Sequence, residues 1–229
     1  MGAEISFVPI AHIRNAYDGK FGIPRQSGLV EETESVIVFE KEFRDENALR
    51  GIEGFSHLWL LWYFSAFDRD GRKWSPTVRP PKLGGNQRVG VFATRSPNRP
   101  NPIGLSSVRL KKVKKTGNDG VVLIVTGADL MDGTPIFDIK PYLAYTDSHP
   151  DAAGGFTDDL WLKPLTVVFL PEAEKALSEE MKARLSAILA GDVRPSYQDD
   201  PEREYGMTYE GKNVRFRVMD GCVEVFSVT

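Results

Sequence analysis

Short apolar runs separated by glycine- and proline-rich turns fill the first 148 residues. Residues 5–13 alternate in polarity well enough for a first strand, and residues 35–43 carry the β-branched and aromatic side chains of a second. Residues 44–50 predict a short helix stopped by Gly51. Residues 55–64, Phe-Ser-His-Leu-Trp-Leu-Leu-Trp-Tyr-Phe, are apolar on both faces, as in a strand buried on both sides at the centre of a closed sheet. Two further runs, 89–93 and 103–110, flank a segment carrying Pro97, Pro100 and Pro102, and 106–113 pairs with 121–125 as a hairpin across polar residues 114–120.

Beyond the hairpin, Asp132-Gly133 marks a turn, and Pro135 fixes the exit into a strand that places Ile136, Asp138 and Lys140 on one face. Residues 171–190 put Leu177, Met181, Leu185, Ile188 and Leu189 on one helical stripe, with Ser178 as a cap for the second part and Gly191 as the stop. An acidic linker leads to strands 214–219 and 222–228, joined at Asp220-Gly221. Strands without alternating helices exclude a doubly wound parallel sheet. The expectation is a mainly β protein: an antiparallel β-barrel or closed sheet over residues 1–148, a connecting segment over 149–164, and a small α+β domain over 165–229. That last piece is too small for a secure core of its own and should pack on the body.

Composition narrows the chemistry. A formal net charge of -3 argues against a generally basic nucleic-acid coat, so RNA contact needs a local patch. Residues 69–88 offer one, with Arg69, Arg72, Lys73, Arg79, Lys82 and Arg88 set among Trp74, prolines and glycines. The single cysteine, Cys222, rules out an intrachain disulfide, and His12, His57 and His149 are too scattered for a metal site. No apolar run approaches the ~20 residues that span a bilayer, and the start lacks a signal-peptide pattern, so the cytoplasm is the expected compartment. Neither a Gly-x-Gly-x-x-Gly turn nor a phosphate-binding loop is present.

The stretch 90–110 is the most distinctive. Each proline fixes φ and removes an N–H, which makes a stiff turn that presents Arg95 and Arg99 at low entropic cost, in a form suited to carboxylate or phosphate. By pattern alone His57 is a core histidine satisfied by backbone, and Asp132 is a turn residue.

Phe21-Gly22-Ile23-Pro24-Arg25-Gln26, Phe55-Ser56-His57-Leu58-Trp59, the run from Gly90 through Arg95-Ser96-Pro97-Asn98-Arg99-Pro100 to Leu105, and Asp132-Gly133-Thr134-Pro135-Ile136-Phe137-Asp138-Ile139-Lys140-Pro141-Tyr142 together resemble the signature blocks of the TsaA-like proteins. These are tRNA (adenine(37)-N6)-methyltransferases of the TrmO type. The resemblance covers residues 5–148 in the family's order and, in the tail, Tyr205-Gly206 and 213–218. It implies a single-sheet β-barrel that binds S-adenosyl-L-methionine, works as a homodimer, and methylates N6 of adenine 37 in tRNA already carrying a threonylcarbamoyl group. Carried over by motif, the cofactor contacts are Pro24, Arg25, Gln26, His57, Leu58, Arg95, Leu105, Asp132, Gly133, Thr134 and Pro135.

Methyl transfer from a sulfonium needs alignment and exclusion of water more than acid–base chemistry. An acceptor that orients N6 and takes its proton would help, and Asp138, Tyr142 and Tyr145 lie in the right block. Asp138 is expected as orienting base and Tyr142 as stacking partner, against the alternatives of an Asp138–Lys140 ion pair and aromatic packing at a barrel rim. Arg69, Arg72, Lys73, Arg79, Lys82 and Arg99 are expected to meet the tRNA anticodon loop, with Lys111, Lys112, Lys114 and Lys115 as a second patch. A non-catalytic module that binds S-adenosylmethionine or RNA, and a methyltransferase acting on another substrate, remain the competing readings.

Overall fold

The strand His57–Tyr63 shows how this chain makes its main sheet. Leu58 and Leu60 are fully buried and Trp62 nearly so, whereas His57, Trp59 and Leu61 are half-buried and Tyr63 is exposed. The strand therefore has one core face and one outer face. The expected burial on both sides does not occur: the outer face is only partly covered, by Tyr142 packed on His57 and Trp59 and by Asp147 accepting from Trp59 Nε1.

The computed structural model describes residues 5–67, 74–83, 86–158, 164–194 and 200–229. Along the chain the strands are β1 (Ala11–Arg14), β2 (Glu34–Phe39), β3 (His57–Tyr63), β4 (Thr77–Val78), β5 (Val89–Gly90), β6 (Ile103–Thr116), β7 (Gly120–Thr126), β8 (Pro135–Pro141), β9 (Thr166–Phe169), β10 (Tyr205–Tyr209), β11 (Lys212–Met219) and β12 (Cys222–Val228). The α-helices are α1 (Ala144–Asp147), α2 (Pro171–Lys175) and α3 (Glu179–Ala190).

The large sheet is antiparallel and runs β1-β2-β7-β6-β3-β8, and a short β1–β8 ladder closes the order on itself. Its interior is aliphatic: Ile13, Ile37, Leu58, Leu60, Leu123, Val125, Leu130 and Ile136 are all fully buried. Each such side chain contributes about 1.5–3 kcal/mol on leaving water, so the inside of the ring is what holds it together.

Several element boundaries differ from those expected. β1 begins only at Ala11, shortly after Pro9, which has no N–H to offer a ladder, and Ile5, Phe7 and Val8 stay exposed. β2 ends at Phe39, and the segment after it forms 3-10 turns, one of them capped by the Asp45 side chain accepting from Asn47 N–H. The 171–190 helix is broken in two, since the Ser178 hydroxyl accepts from Met181 N–H and starts α3 anew.

A second sheet, β10-β11-β12-β9, pairs β9 parallel to β12. Leu185, Ile188 and Leu189 of α3 pack on it, and so do Tyr17 and Val30 from the first part of the chain. The tail thus shares a core with the segment 17–30.

Candidate active site

The main sheet has an opening. β6 pairs with β3 from Ile103 to Arg109, but with β7 only from Arg109 onward, so its first half has no strand on the other edge. Residues 24–28 lie there instead. Ser107 N–H donates to Ser27 Oγ at 3.2 Å, and by the two-residue period Leu105 presents its backbone to the same edge. Gly28 N–H donates to Gly127 O at 2.9 Å. A Cβ on Gly127, whose φ is +77°, would lie 3.2 Å from Gly28 Cα, so glycine is what lets this loop close against the turn after β7.

Polar side chains converge on the opening. Arg95 Nη1 donates to Gln26 Oε1 at 2.5 Å, which joins the stiff proline turn to the first loop. Behind them, Trp62 Nε1 donates to Ser106 Oγ at 2.9 Å, and the Ser106 hydroxyl donates to Asp129 Oδ1 at 2.5 Å. Burial pushes the Asp129 carboxyl above the usual range, while the Ser106 hydrogen bond and the Arg95 charge partly oppose that. Asp129 leads into the turn 132–135. There Asp132 Oδ1 accepts from Asn15 N–H at 2.9 Å and the buried Thr134 hydroxyl donates to Met131 O at 2.7 Å, leaving Asp132 and Gly133 exposed.

Two of the expected arginines are already engaged with backbone. Arg25 Nε and Nη2 donate to Asp192 O at 3.3 and 3.0 Å, and Nη2 also donates to Arg194 O. Arg99 Nη2 donates to Val91 O and Thr94 O at 3.2 and 3.0 Å, bracing its own turn. Pro24 lines a cavity of about 250 Å³ between this loop and α3.

Of the remaining expected residues, all but Leu58 sit on the outer face of the sheet. His57 lies three residues, about 10 Å, along β3 from Leu60, the register partner of Ser106, and its side chain points to the opposite face. The Ser56 hydroxyl is 2.9 Å from His57 Nδ1. The Tyr142 ring packs against His57 and Trp59 with centroids 6.1 and 5.5 Å apart. The Leu58 side chain is core. Asp138 does not share a face with Ile136 as expected: a bulge between Leu61 and Trp62 inserts Phe137, so Ile136 stays in the core while Asp138 turns outward. There it pairs with Lys140 at 2.7 Å.

The family models agree with one another along the chain. The tRNA-methyltransferase O N-terminal domain matches residues 12–148, and the TrmO C-terminal domain matches 162–229. The chain belongs to the tRNA-methyltransferase O family. It is 42% identical over 234 residues to the tRNA (adenine(37)-N6)-methyltransferase of Escherichia coli K12, covering 99% of this chain and 98% of that one. An Eikenella corrodens protein of the same name is 42% identical over 76% of this chain and 97% of its own. A crystal structure of TrmO from Pseudomonas aeruginosa superposes with a TM-score of 0.80 at 31% identity, covering 100% of this chain and 98% of that one.

Among the basic residues, Arg69, Arg72 and Lys73 lie outside the described residues, as does the side chain of Lys82. Arg79 is exposed, and the nearby Trp74 and Phe92 rings, both exposed, lie 6.1 Å apart. Lys111, Lys112 and Lys114 are exposed on β6, and Lys115 pairs with Glu46. Among the described residues no group of His, Cys, Asp or Glu is arranged to hold a metal, and no helix is long and apolar enough to cross a membrane.

Sequence reasoning missed Asp129, Ser106 and Phe92. Asp129 stands only three residues before Asp132, but its place against Ser106 depends on β6, which no local pattern reveals.

Proposed function

We propose that the chain is an S-adenosylmethionine-dependent tRNA methyltransferase acting on N6 of adenosine 37 that already carries a threonylcarbamoyl group. The observation that carries this reading is the meeting of residues 24–28, Arg95, Leu105 and Asp129 at the open β6 edge, in a chain matching the E. coli enzyme end to end. The side chains fit the cofactor: a guanidinium for its carboxylate, a half-buried carboxylate for its amine or ribose hydroxyls, and strand-edge backbone for its adenine. When bound, S-adenosylmethionine supplies a methyl group on a positively charged sulfur. Arg95 binds and orients it through the carboxylate, with Gln26 fixing the guanidinium. Pro24, Arg25, Leu105, Asp132, Gly133, Thr134 and Pro135 contribute mainly backbone, and Leu58 does so necessarily because its side chain is core.

On the outer face, His57 joins the cofactor set, Asp138 orients N6 and receives its proton, and Tyr142 stacks on the target base. Arg69, Arg72, Lys73, Arg79, Lys82 and Arg99 face the anticodon loop, with Trp74 and Phe92 as further stacking surfaces. The closed strand order serves as a single-sheet barrel over residues 1–148, linked through 149–164 to the α+β domain of 165–229. The enzyme works as a homodimer in the cytoplasm. Support for the dimer is the position of the half-buried His57 and the exposed Tyr63 on the outer face of β3, which a second copy would cover.

Transfer of labelled methyl to tRNA with and without threonylcarbamoyl-adenosine tests this. Label in the modified tRNA only is the expected result. Label in neither overturns catalysis on tRNA, and label in both overturns the requirement for the modification.

A further inference from the structure

We infer that the C-terminal domain is a positioning element for the cofactor loop: through Phe21, Gly22 and Arg25 it holds residues 21–25 so that Gln26 and Ser27 stand at the open β6 edge. The inference rests on the cofactor reading of that edge, and it gives the C-terminal domain a part in the reaction without contact to the reacting atoms.

Three contacts tie the loop to that domain. The Phe21 ring lies nearly parallel to Tyr205 and Phe216, with centroids 6.5 and 6.3 Å apart and interplanar angles of 9° and 14°. Gly22, at φ +94°, is pressed on Met207 so closely that a Cβ would stand 2.6 Å from its Cε. Arg25 donates to the carbonyls of Asp192 and Arg194, just past Gly191 at the end of α3. These carbonyls belong to the segment that follows the helix cap, and a cation held there also lies at the negative end of the helix dipole. Burial lowers the Arg25 pKa and the Asp192 carboxylate opposes that, which marks a side chain set into the domain rather than lying on it.

The very next residues change allegiance. Gln26 accepts from Arg95, Ser27 accepts from Ser107 N–H, and Gly28 donates to Gly127 O. One short stretch is therefore anchored at one end in the C-terminal domain and at the other in the large sheet. A loop with glycines at 22 and 28 has many conformations to lose, so anchoring it in advance removes an ordering cost that cofactor binding would otherwise bear.

The test uses the full chain and S-adenosylmethionine itself. Arg25→Ala, Arg25→Lys and Phe216→Leu are compared with the wild type by calorimetric titration, by hydrogen exchange at residues 26–28, and by methyl transfer at saturating cofactor. Expected are a dissociation constant raised about tenfold by Arg25→Ala and about threefold by Phe216→Leu, with faster exchange at 26–28 in both and partial recovery with Lys. Phe216 is buried in the C-terminal core, so Phe216→Leu should raise the KM for cofactor and leave kcat within about twofold. If only Arg25→Ala weakens binding, and Phe216→Leu alters neither binding nor exchange, Arg25 acts on the cofactor directly and the inference is overturned. Unchanged binding in both variants overturns it as well. A wild type that does not bind the cofactor overturns the cofactor reading and the inference with it, and the titration of the unaltered chain identifies that case. Should Arg25→Ala fail to fold, Phe216→Leu and Arg25→Lys carry the same comparison.

Discussion

The open edge of β6 and the outer face of β3 and β8 hold their polar groups in opposite ways. At the edge, Trp62, Ser106, Asp129, Gln26 and Arg95 are bonded largely to one another, and Ser106 is fully buried. On the outer face, Asp138 and Lys140 form a solvent-facing ion pair beside aromatic rings that are only partly covered. The first arrangement is preorganised for a small charged ligand, because Ser106 is already out of water, Asp129 is half-buried and held by it, and the exposed Arg95 guanidinium is fixed in place by Gln26. The second suits a large partner that brings its own cover, such as a splayed RNA base or a second copy of the chain.

Arg95→Ala tests the edge most severely. Loss of a charged hydrogen-bond donor there should weaken cofactor binding about 100-fold, with little change in melting temperature; calorimetric titration measures it. Asp129→Asn should weaken binding about 10- to 30-fold and carries a pH signature as well. The folded carboxyl holds its proton more tightly than the unfolded one, so stability falls as pH rises from the ordinary value of 3.8 through the raised folded value. The asparagine variant lacks that loss. Its stability relative to wild type should therefore climb across that window and then level, as read by thermal melts at a series of acid pH values. A flat difference would show that Asp129 is not held out of water.

On the outer face the effects should be smaller and of another kind. Asp138→Asn should slow methyl transfer about tenfold with cofactor affinity unchanged, and it should barely alter stability, because exposed ion pairs contribute ~0–1 kcal/mol. Full turnover in that variant would remove Asp138 from the mechanism. Arg79→Ala should reduce the salt dependence of tRNA binding by about one unit of slope, and an unchanged slope would place the RNA elsewhere.

What could be read from the chain itself was local. The Asp220-Gly221 hairpin, the Ser178 cap and the stiff turn around Arg95 depend on neighbours in sequence, and each stands where the pattern placed it. Asp138 was misplaced because a one-residue bulge at Phe137 shifts every later side chain of β8, and no period-two pattern announces such an insertion. Arg25 finds its acceptors in the chain 167 and 169 residues away, and Asp129 takes its hydrogen bond from a strand 23 residues earlier. The family blocks mark which residues assemble, but the open edge around which they assemble exists only once β7 stops pairing with β6.

Backbone hydrogen exchange with and without S-adenosylmethionine tests the central claim most directly. Protection concentrated at residues 24–28, 95, 105–107 and 129–135 is the expected result. Protection absent there, or confined to the C-terminal sheet, would contradict the assignment of the open β6 edge as the cofactor seat.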